Sequence, residues 1–390
     1  MEIIPRSELL RTAYVKNADE NIENQDMFSS LWKEVFVEAN LQKASDIHIH
    51  QNLNSIDVYF RILGDKILFK SISGQKSLRD QYINKFKFIA GFNLSSNDEA
   101  QDRAFTLKLT NSRYRAVLTP SFFGEYLVLR VIRENDIPMI RDLDLPICFK
   151  KDLLVALSKP QGLICITGPT GSGKSTTLQA CLMETDRVKK NIITIEDPIE
   201  RVLPNVTQQQ VTNRFNWTTA IKSAMRQDPD IILIGEIRDK ESACLALEAA
   251  QTGHLVLTTL HTNDVYGIFD RLLGLGVEKN LIKNNLIFAS SQRLVQRICN
   301  DCKKPIDIDG IKYFSKGKGC ASCNPNEGII GRKLITEHCN SIKDASLVDF
   351  NKKKFRSSEL KTSLYSSYYE LAKAGDVDYL KLDEWSSFHE

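Results

Sequence analysis

Gly168-Pro169-Thr170-Gly171-Ser172-Gly173-Lys174-Ser175 fits G-x-x-x-x-G-K-[ST] at every fixed position. It follows an apolar stretch and precedes a helical one, the context in which this pattern builds a phosphate cradle. Glycines let the chain curl until successive backbone N–H groups point at phosphate oxygens, and the next helix start adds a favourable dipole. Lys174 is then placed to neutralise the β- and γ-phosphates, and the Ser175 hydroxyl to bind Mg²⁺. These residues imply a nucleoside triphosphate.

Two acidic segments sharpen that implication. Ile231-Ile232-Leu233-Ile234 runs into Gly235-Glu236, with Gly235 standing where an Asp often precedes the Glu. Metal contact would come from Glu236, through water, and from Ser175. Ile192 to Ile195 runs into Glu196-Asp197-Pro198-Ile199-Glu200. In a parallel sheet both strand ends reach the edge that carries the phosphate loop. Glu196, Glu200 and Glu236 are therefore the candidates to orient and deprotonate an attacking water. Asp197 and Glu200 read equally well as solvated loop acids. His254 and His261, two of six histidines, bracket a short apolar stretch, and both are expected near the γ-phosphate at this edge.

Cys299, Cys302, Cys320 and Cys323 form C-x₂-C-x₁₇-C-x₂-C, within the spacing of a four-thiolate zinc site. Four thiolates close a tetrahedron with no open position, so the metal would be structural, pinning an insert with little apolar core of its own. Cys148, Cys165, Cys181, Cys244 and Cys339 read as coincidental buried cysteines.

Elements of two kinds must position these residues. Alternating apolar and polar residues at Ile56–Ile62, Phe105–Leu109 and Tyr126–Ile132 predict half-buried strands, and Met27–Leu41 and Asp80–Ala90 predict helices. This part is a mixed α+β domain. A charged stretch with two prolines, Glu134 to Pro146, reads as a linker. Beyond it, apolar strands at Leu163–Thr167, Ile192–Ile195, Ile231–Ile234 and Leu255–Thr259 alternate with helices at Ser175–Glu184, Thr218–Arg226 and Lys240–Thr252. That order predicts a mainly parallel sheet covered on both faces. From about Asn340 onward small helices are expected, with periodicity only over Leu360–Lys373. The chain of 390 residues, 42% hydrophobic and 26% charged, has room for two or three domains and an ordinary globular composition. A net charge of +3 argues against a surface built to wrap nucleic acid. Neither a secretory signal nor an apolar run of the ~20 residues that span a bilayer is found. A soluble, cytosolic protein without paired cysteines is expected.

The phosphate loop, Glu196 to Glu200, Arg226 to Asp239 and Thr252 to Asp264, in this order and spacing, closely resemble the secretion ATPase superfamily. Within it the chain looks like the type II secretion and type IV pilus assembly ATPases. Ala44-Ser45-Asp46-Ile47-His48-Ile49 and Arg115…Pro120…Gly124-Glu125…Arg130 resemble that family's N-terminal sheet domain. The resemblance implies an α/β fold, a RecA-like P-loop ATPase domain preceded by a smaller α+β, PAS-like domain, with a zinc-binding insert. It divides the chain into an extension (1–40), the sheet domain (41–134), a linker (135–147) and the ATPase domain (148–390) with the insert at 299–323. It further implies that Lys174, Ser175 and Thr176 grip phosphate and Mg²⁺, that Glu236 and an acidic-box glutamate, foremost Glu196, handle water and metal, and that His254 and His261 lie near the γ-phosphate. Arg115 and Arg130, with Arg103 as a further candidate, would stabilise charge on the leaving phosphate.

Cofactors implied are ATP, Mg²⁺ and Zn²⁺. The implied partners are five further copies in a homohexamer and an inner-membrane platform protein through which the ATPase associates peripherally with the membrane, at its cytoplasmic face. The tetracysteine insert, Gln292-Arg293-Leu294 and Gly331-Arg332 look like the assembly type; a pilus retraction or conjugative-transfer motor would keep the same active site. A nucleic-acid-binding protein made of a P-loop core and a zinc ribbon is disfavoured by the charge and by the lack of interleaved aromatic and basic residues around Cys299–Cys323. With about 40 residues ahead of Ala44, no room is expected for the extra docking domain of longer members.

Overall fold

In the computed structural model the N-terminal strands follow their alternation residue by residue, every second side chain of Ser55–Ile62 being buried. Residues 16–17, 27–95, 99–133, 137–323, 327–340 and 360–388 are described. The chain divides into two units, Met1–Asn135 and Asp136–Glu390.

The first unit runs β1 (Lys16–Asn17), α1 (Met27–Leu41), β2 (Asp46–Gln51), β3 (Ser55–Ile62), β4 (Asp65–Ser73), α2 (Lys76–Ala90), β5 (Gln101–Leu107), β6 (Ser112–Ser121) and β7 (Gly124–Arg133). Its sheet has the order β1-β5-β6-β7-β2-β3-β4, antiparallel except for the β1–β5 pair. Rings of Trp32, Phe36, Phe86, Phe105 and Tyr114 interlock between helices and sheet. The Trp32 indole N–H, which needs an acceptor once buried, donates to the Tyr82 carbonyl at 2.9 Å. Gly124 and Glu125 serve this packing. Gly124 has φ +147°, and a Cβ there would overlap the Gln51 side chain. Glu125 accepts from the fully buried Lys87 ammonium at 2.8 Å, an ion pair that neither partner's burial would allow alone.

The second unit runs α3 (Ile147–Leu157), β8 (Gly162–Thr167), α4 (Lys174–Glu184), β9 (Ile192–Glu196), β10 (Thr207–Gln210), α5 (Trp217–Ala224), β11 (Ile231–Ile234), α6 (Lys240–Gln251), β12 (Leu255–Leu260), α7 (Tyr266–Gly274), α8 (Lys279–Asn285), β13 (Leu286–Ile298), β14 (Lys304–Ile308), β15 (Ile311–Ser315), β16 (Ile329–Asn340) and α9 (Leu364–Ala374). Its sheet has the order β10-β9-β11-β12-β8-β13-β16, parallel from β10 to β13 and antiparallel at β16. Every residue of β8, β11 and β12 is buried, as strands covered on both faces must be. One layer of core joins Ile232, Ile234 and Val256 to α5, α6 and α7. The other joins Ile231, Leu233 and Leu257 to α3 and α4.

Several expectations are revised. β10, Thr-Gln-Gln-Gln, carries no apolar pattern and escapes a hydrophobicity reading, as does the polar centre of β13. Cys148 is exposed and Cys244 half-buried, while Cys165, Cys181 and Cys339 are buried as expected. Of the expected C-terminal helices, α9 lies among the described residues; the stretch 341–359 lies outside them, as do 134–136 of the expected linker and most of the 1–40 extension. Among the described residues no helix is long and apolar enough to cross a membrane.

Candidate active site

The order β9-β11-β12-β8 brings four C-terminal strand ends to one sheet edge, and each delivers a different group. β8 ends at the phosphate loop. Lys174, at the start of α4 and buried, folds its ammonium onto the loop's own carbonyls, 2.8 Å from Gly168 O and 3.1 Å from Pro169 O. Burial lowers its pKa, with Arg293 adding to the effect and Glu236 opposing it. An anion held by the loop would relieve that cost, because the charged form is what the buried site disfavours. Ser175 is exposed and Thr176 half-buried on the first turn of α4; Gly171, Ser172 and Gly173 complete the curl with Thr170 and Pro169 at its exposed outer rim. The Thr167 hydroxyl accepts from Thr262 N–H at 2.8 Å and donates to Leu260 O at 2.9 Å, tying the loop's root to the end of β12.

β11 delivers Glu236. Its carboxylate receives Arg238 on one oxygen and lies 3.3 Å from His261 Nε2 with the other. Arg238 also reaches Asp197 at 3.5 Å and lies over the Trp217 ring. Its pKa is raised, chiefly by the hydrogen bond to Glu236. Gly235 has a steric reason to be glycine: a Cβ would sit 3.2 Å from Ile195 O and 3.4 Å from the Trp217 ring. β9 delivers Glu196, whose Oε1 accepts from Thr194 Oγ1 at 2.6 Å and Gln208 Nε2 at 2.9 Å. Burial pushes its pKa up, those two hydrogen bonds pull against the rise, and the Glu200 charge adds to it. Glu200 thus stands within electrostatic reach of Glu196, and Asp197 is the exposed partner of Arg238.

His254 is a correction. The register Leu255↔Gly162 and Leu260↔Thr167 sets His261 beside the phosphate loop and His254 at the opposite edge, roughly 20 Å away along the strand at ~3.3 Å per residue. Two histidines bracketing one strand cannot share an edge. There His254 N–H and Nδ1 both meet Ala249 O, and its carbonyl accepts from Gly162 N–H, so it closes the turn from α6 into β12.

In the first unit, Arg115 and Arg130 face each other directly across β6 and β7 on the open face of the sheet. Like charges so placed repel. Asp102 pairs with Arg115 at 2.7 Å and Asp46 with Arg130 at 3.5 Å. Arg103 belongs elsewhere: it lies opposite Ala116 in register and donates to Gly91 O at the end of α2.

The cysteine spacing closes in space. The four sulfurs of Cys299, Cys302, Cys320 and Cys323 lie within 4.8 Å of one another, with Cys299–Cys320 at 3.7 Å, Cys302–Cys323 at 3.8 Å and Cys320–Cys323 at 3.6 Å. A zinc tetrahedron with ~2.3 Å bonds has edges of ~3.8 Å, so the donor set fits that ion. Burial opposes ionisation of Cys323, but N–H groups of Cys320 and Gly328, with the neighbouring thiols, outweigh it and lower its pKa, while burial raises that of Cys302. The sulfurs sit between the end of β13 and the start of β16, around the β14–β15 hairpin.

Arg238 and Gln208, which hold the two glutamates, are not among the residues expected at the site. Arg238 sits exposed two residues after Glu236, beyond the end of β11, and Gln208 lies on β10, which has no apolar pattern.

Comparison with known proteins agrees with this geometry. Residues 21–376 match the family described as type II/IV secretion system protein. The chain is 36% identical over 318 residues to type II secretion system protein E of Klebsiella pneumoniae, covering 78% of this chain and 63% of that protein. It is 35% identical over 331 residues to the type IV pilus assembly ATPase PilB of Myxococcus xanthus, covering 78% and 57%. The chain thus spans less than two thirds of the length of these relatives. Among solved structures, the Legionella pneumophila ATPase DotB superposes with a TM-score of 0.72 at 22% identity, over 92% of this chain and 95% of that one. The ADP-bound pilus retraction motor PilT superposes with 0.63 at 26% identity, over 90% and 96%.

Proposed function

Because the chain belongs to the family of type II/IV secretion system proteins, we propose that it is an ATPase that works as a homohexamer and drives pilus assembly or protein secretion through an inner-membrane platform protein. The observation that carries this reading is the convergence of Lys174, Glu236, Glu196 and His261 on one sheet edge. Gly168 to Gly173 would cradle the phosphates with Lys174, and Ser175, Thr176 and Glu236 are the residues that would hold Mg²⁺, which would neutralise phosphate charge there. Glu196, more basic than a free carboxylate, orients and deprotonates the attacking water, and Glu200 tunes it. His261 reports the γ-phosphate to Glu236. Arg115 and Arg130 serve the nucleotide of a neighbouring copy; their exposure side by side on an open sheet face supports this reading. Zinc at the four cysteines supports the assembly or secretion role over retraction, and the protein works at the cytoplasmic face of the inner membrane.

Mg²⁺-dependent phosphate release by the wild-type protein, lost in Lys174→Ala, tests this reading. Equal turnover in the two would sink it.

A further inference from the structure

Gln292 is a long polar side chain in the middle of β13, fully buried against the phosphate loop. Its Nε2 donates to Ser172 O at 2.9 Å. The Thr177 hydroxyl lies 3.2 Å from Gln292 Oε1 and equally 3.2 Å from Gly173 O. Since a carbonyl only accepts, the amide must present its NH₂ to Ser172 and its oxygen to Thr177. The strand's backbone is as close as its side chain: a Cβ on Gly168, at φ +143°, would lie 2.5 Å from Gln292 O, and one on Gly173 would lie 3.3 Å from Gln292 Nε2. Two glycines of the loop are thus shaped by β13 as well as by phosphate.

We propose that Gln292 is a positioning residue of the phosphate site, fixing the rotation of the Ser172–Gly173 peptide from behind the loop. In a planar trans peptide the C=O and the following N–H point in opposite directions. A hydrogen bond that holds Ser172 C=O outward, against β13, therefore aims Gly173 N–H inward, where the loop's amides converge on an anion. Gln292 acts through one peptide group, that of Ser172 and Gly173. The inference rests on the nucleotide reading of the loop given above.

The test is binding of fluorescent mant-ADP to the full chain, with variants Gln292→Met, Gln292→Glu and Lys174→Ala. Gln292→Met keeps the length and packing but loses the donor, so its affinity is expected to fall about ten- to a hundredfold, with the melting temperature lowered only as far as one lost buried hydrogen bond requires. Should Gln292→Met fail to fold, Gln292→Glu carries the test by its pH profile. A buried carboxyl there titrates well above its usual range, so it donates to Ser172 O at about pH 6 and repels it at about pH 8. Nucleotide affinity in Gln292→Glu is expected near wild type at the lower pH and weakened at the higher, a profile that loss of packing would not produce. Wild-type affinity in Gln292→Met, or a pH-independent Gln292→Glu, would overturn the proposal. Failure of the wild type to bind, or binding undiminished in Lys174→Ala, would instead overturn the nucleotide reading itself.

Discussion

Glu196 and Glu236 lie at adjacent strand ends in unlike surroundings, and the contrast assigns their work. Glu236 is held between Arg238 and His261, while Glu196 is half-buried, and that burial raises its pKa against its bonds from Thr194 and Gln208. Such divergence is how neighbouring carboxylates take different roles. A raised carboxyl pKa means that ionised Glu196 costs stability at neutral pH. Its favourable contribution is complete below the unfolded value of ~4.3 and is lost as pH rises through the folded value. Glu196→Gln keeps both hydrogen-bond acceptances, so it is expected to melt higher than wild type at pH 7, to lose that gain toward acid pH, and to turn over ATP about 10²–10⁴-fold more slowly. Thermal melts across pH, paired with phosphate release, check both halves. At this scale the sequence was legible where chemistry is local: Lys174, Ser175 and Glu236 follow from contiguous patterns. His254 departs from expectation because the strand between it and His261 carries the two residues to opposite edges of the sheet. Gln292 stood out only as part of a resemblance, since the contact behind its proposed role joins residues 120 apart in sequence.

The strands and helices that hold the site were readable in their apolar periods, and most observed bounds fall within a few residues of expectation. What escaped were strands with polar faces, β10 and the β13–β16 ribbon, whose pairing depends on neighbours remote in sequence. That ribbon ends in the cysteine module, and the module is tied to the C-terminal segment. Lys303 donates to Gly375 O at 2.9 Å, Ile298 N–H donates to Asp376 O at 2.9 Å, and Tyr313 meets Tyr369 and Tyr379. Elemental analysis is expected to find about one zinc per chain, absent in Cys302→Ser. Hydrogen exchange should then rise in 364–374 and 304–315, because the module has too little core to hold without its ion. A metal-free chain with unchanged exchange would contradict this. In the first unit, Glu125→Gln leaves Lys87 buried against a neutral acceptor and is expected to cost about 3 kcal/mol in denaturant unfolding.

At the scale of the whole molecule, two units carry complementary charge chemistry: a phosphate cradle with acids in one, opposed arginines in the other. In the proposed hexamer the arginines of one copy would complete the site of the next. Arg115→Ala and Lys174→Ala should each be inactive alone, yet a mixture of the two should regain part of the wild-type turnover, since some interfaces would pair an intact Lys174 with an intact Arg115. A mixture as inactive as its parents would contradict the claim that the arginines serve a neighbouring copy's site. The near-neutral charge of +3 accords with work done on protein. The central claim, that this sheet edge hydrolyses ATP, is tested most directly by Glu236→Gln, with nucleotide binding and phosphate release measured on the same preparation. Retained binding with turnover lowered about 10²–10⁴-fold is the predicted result; wild-type turnover in that variant would contradict it.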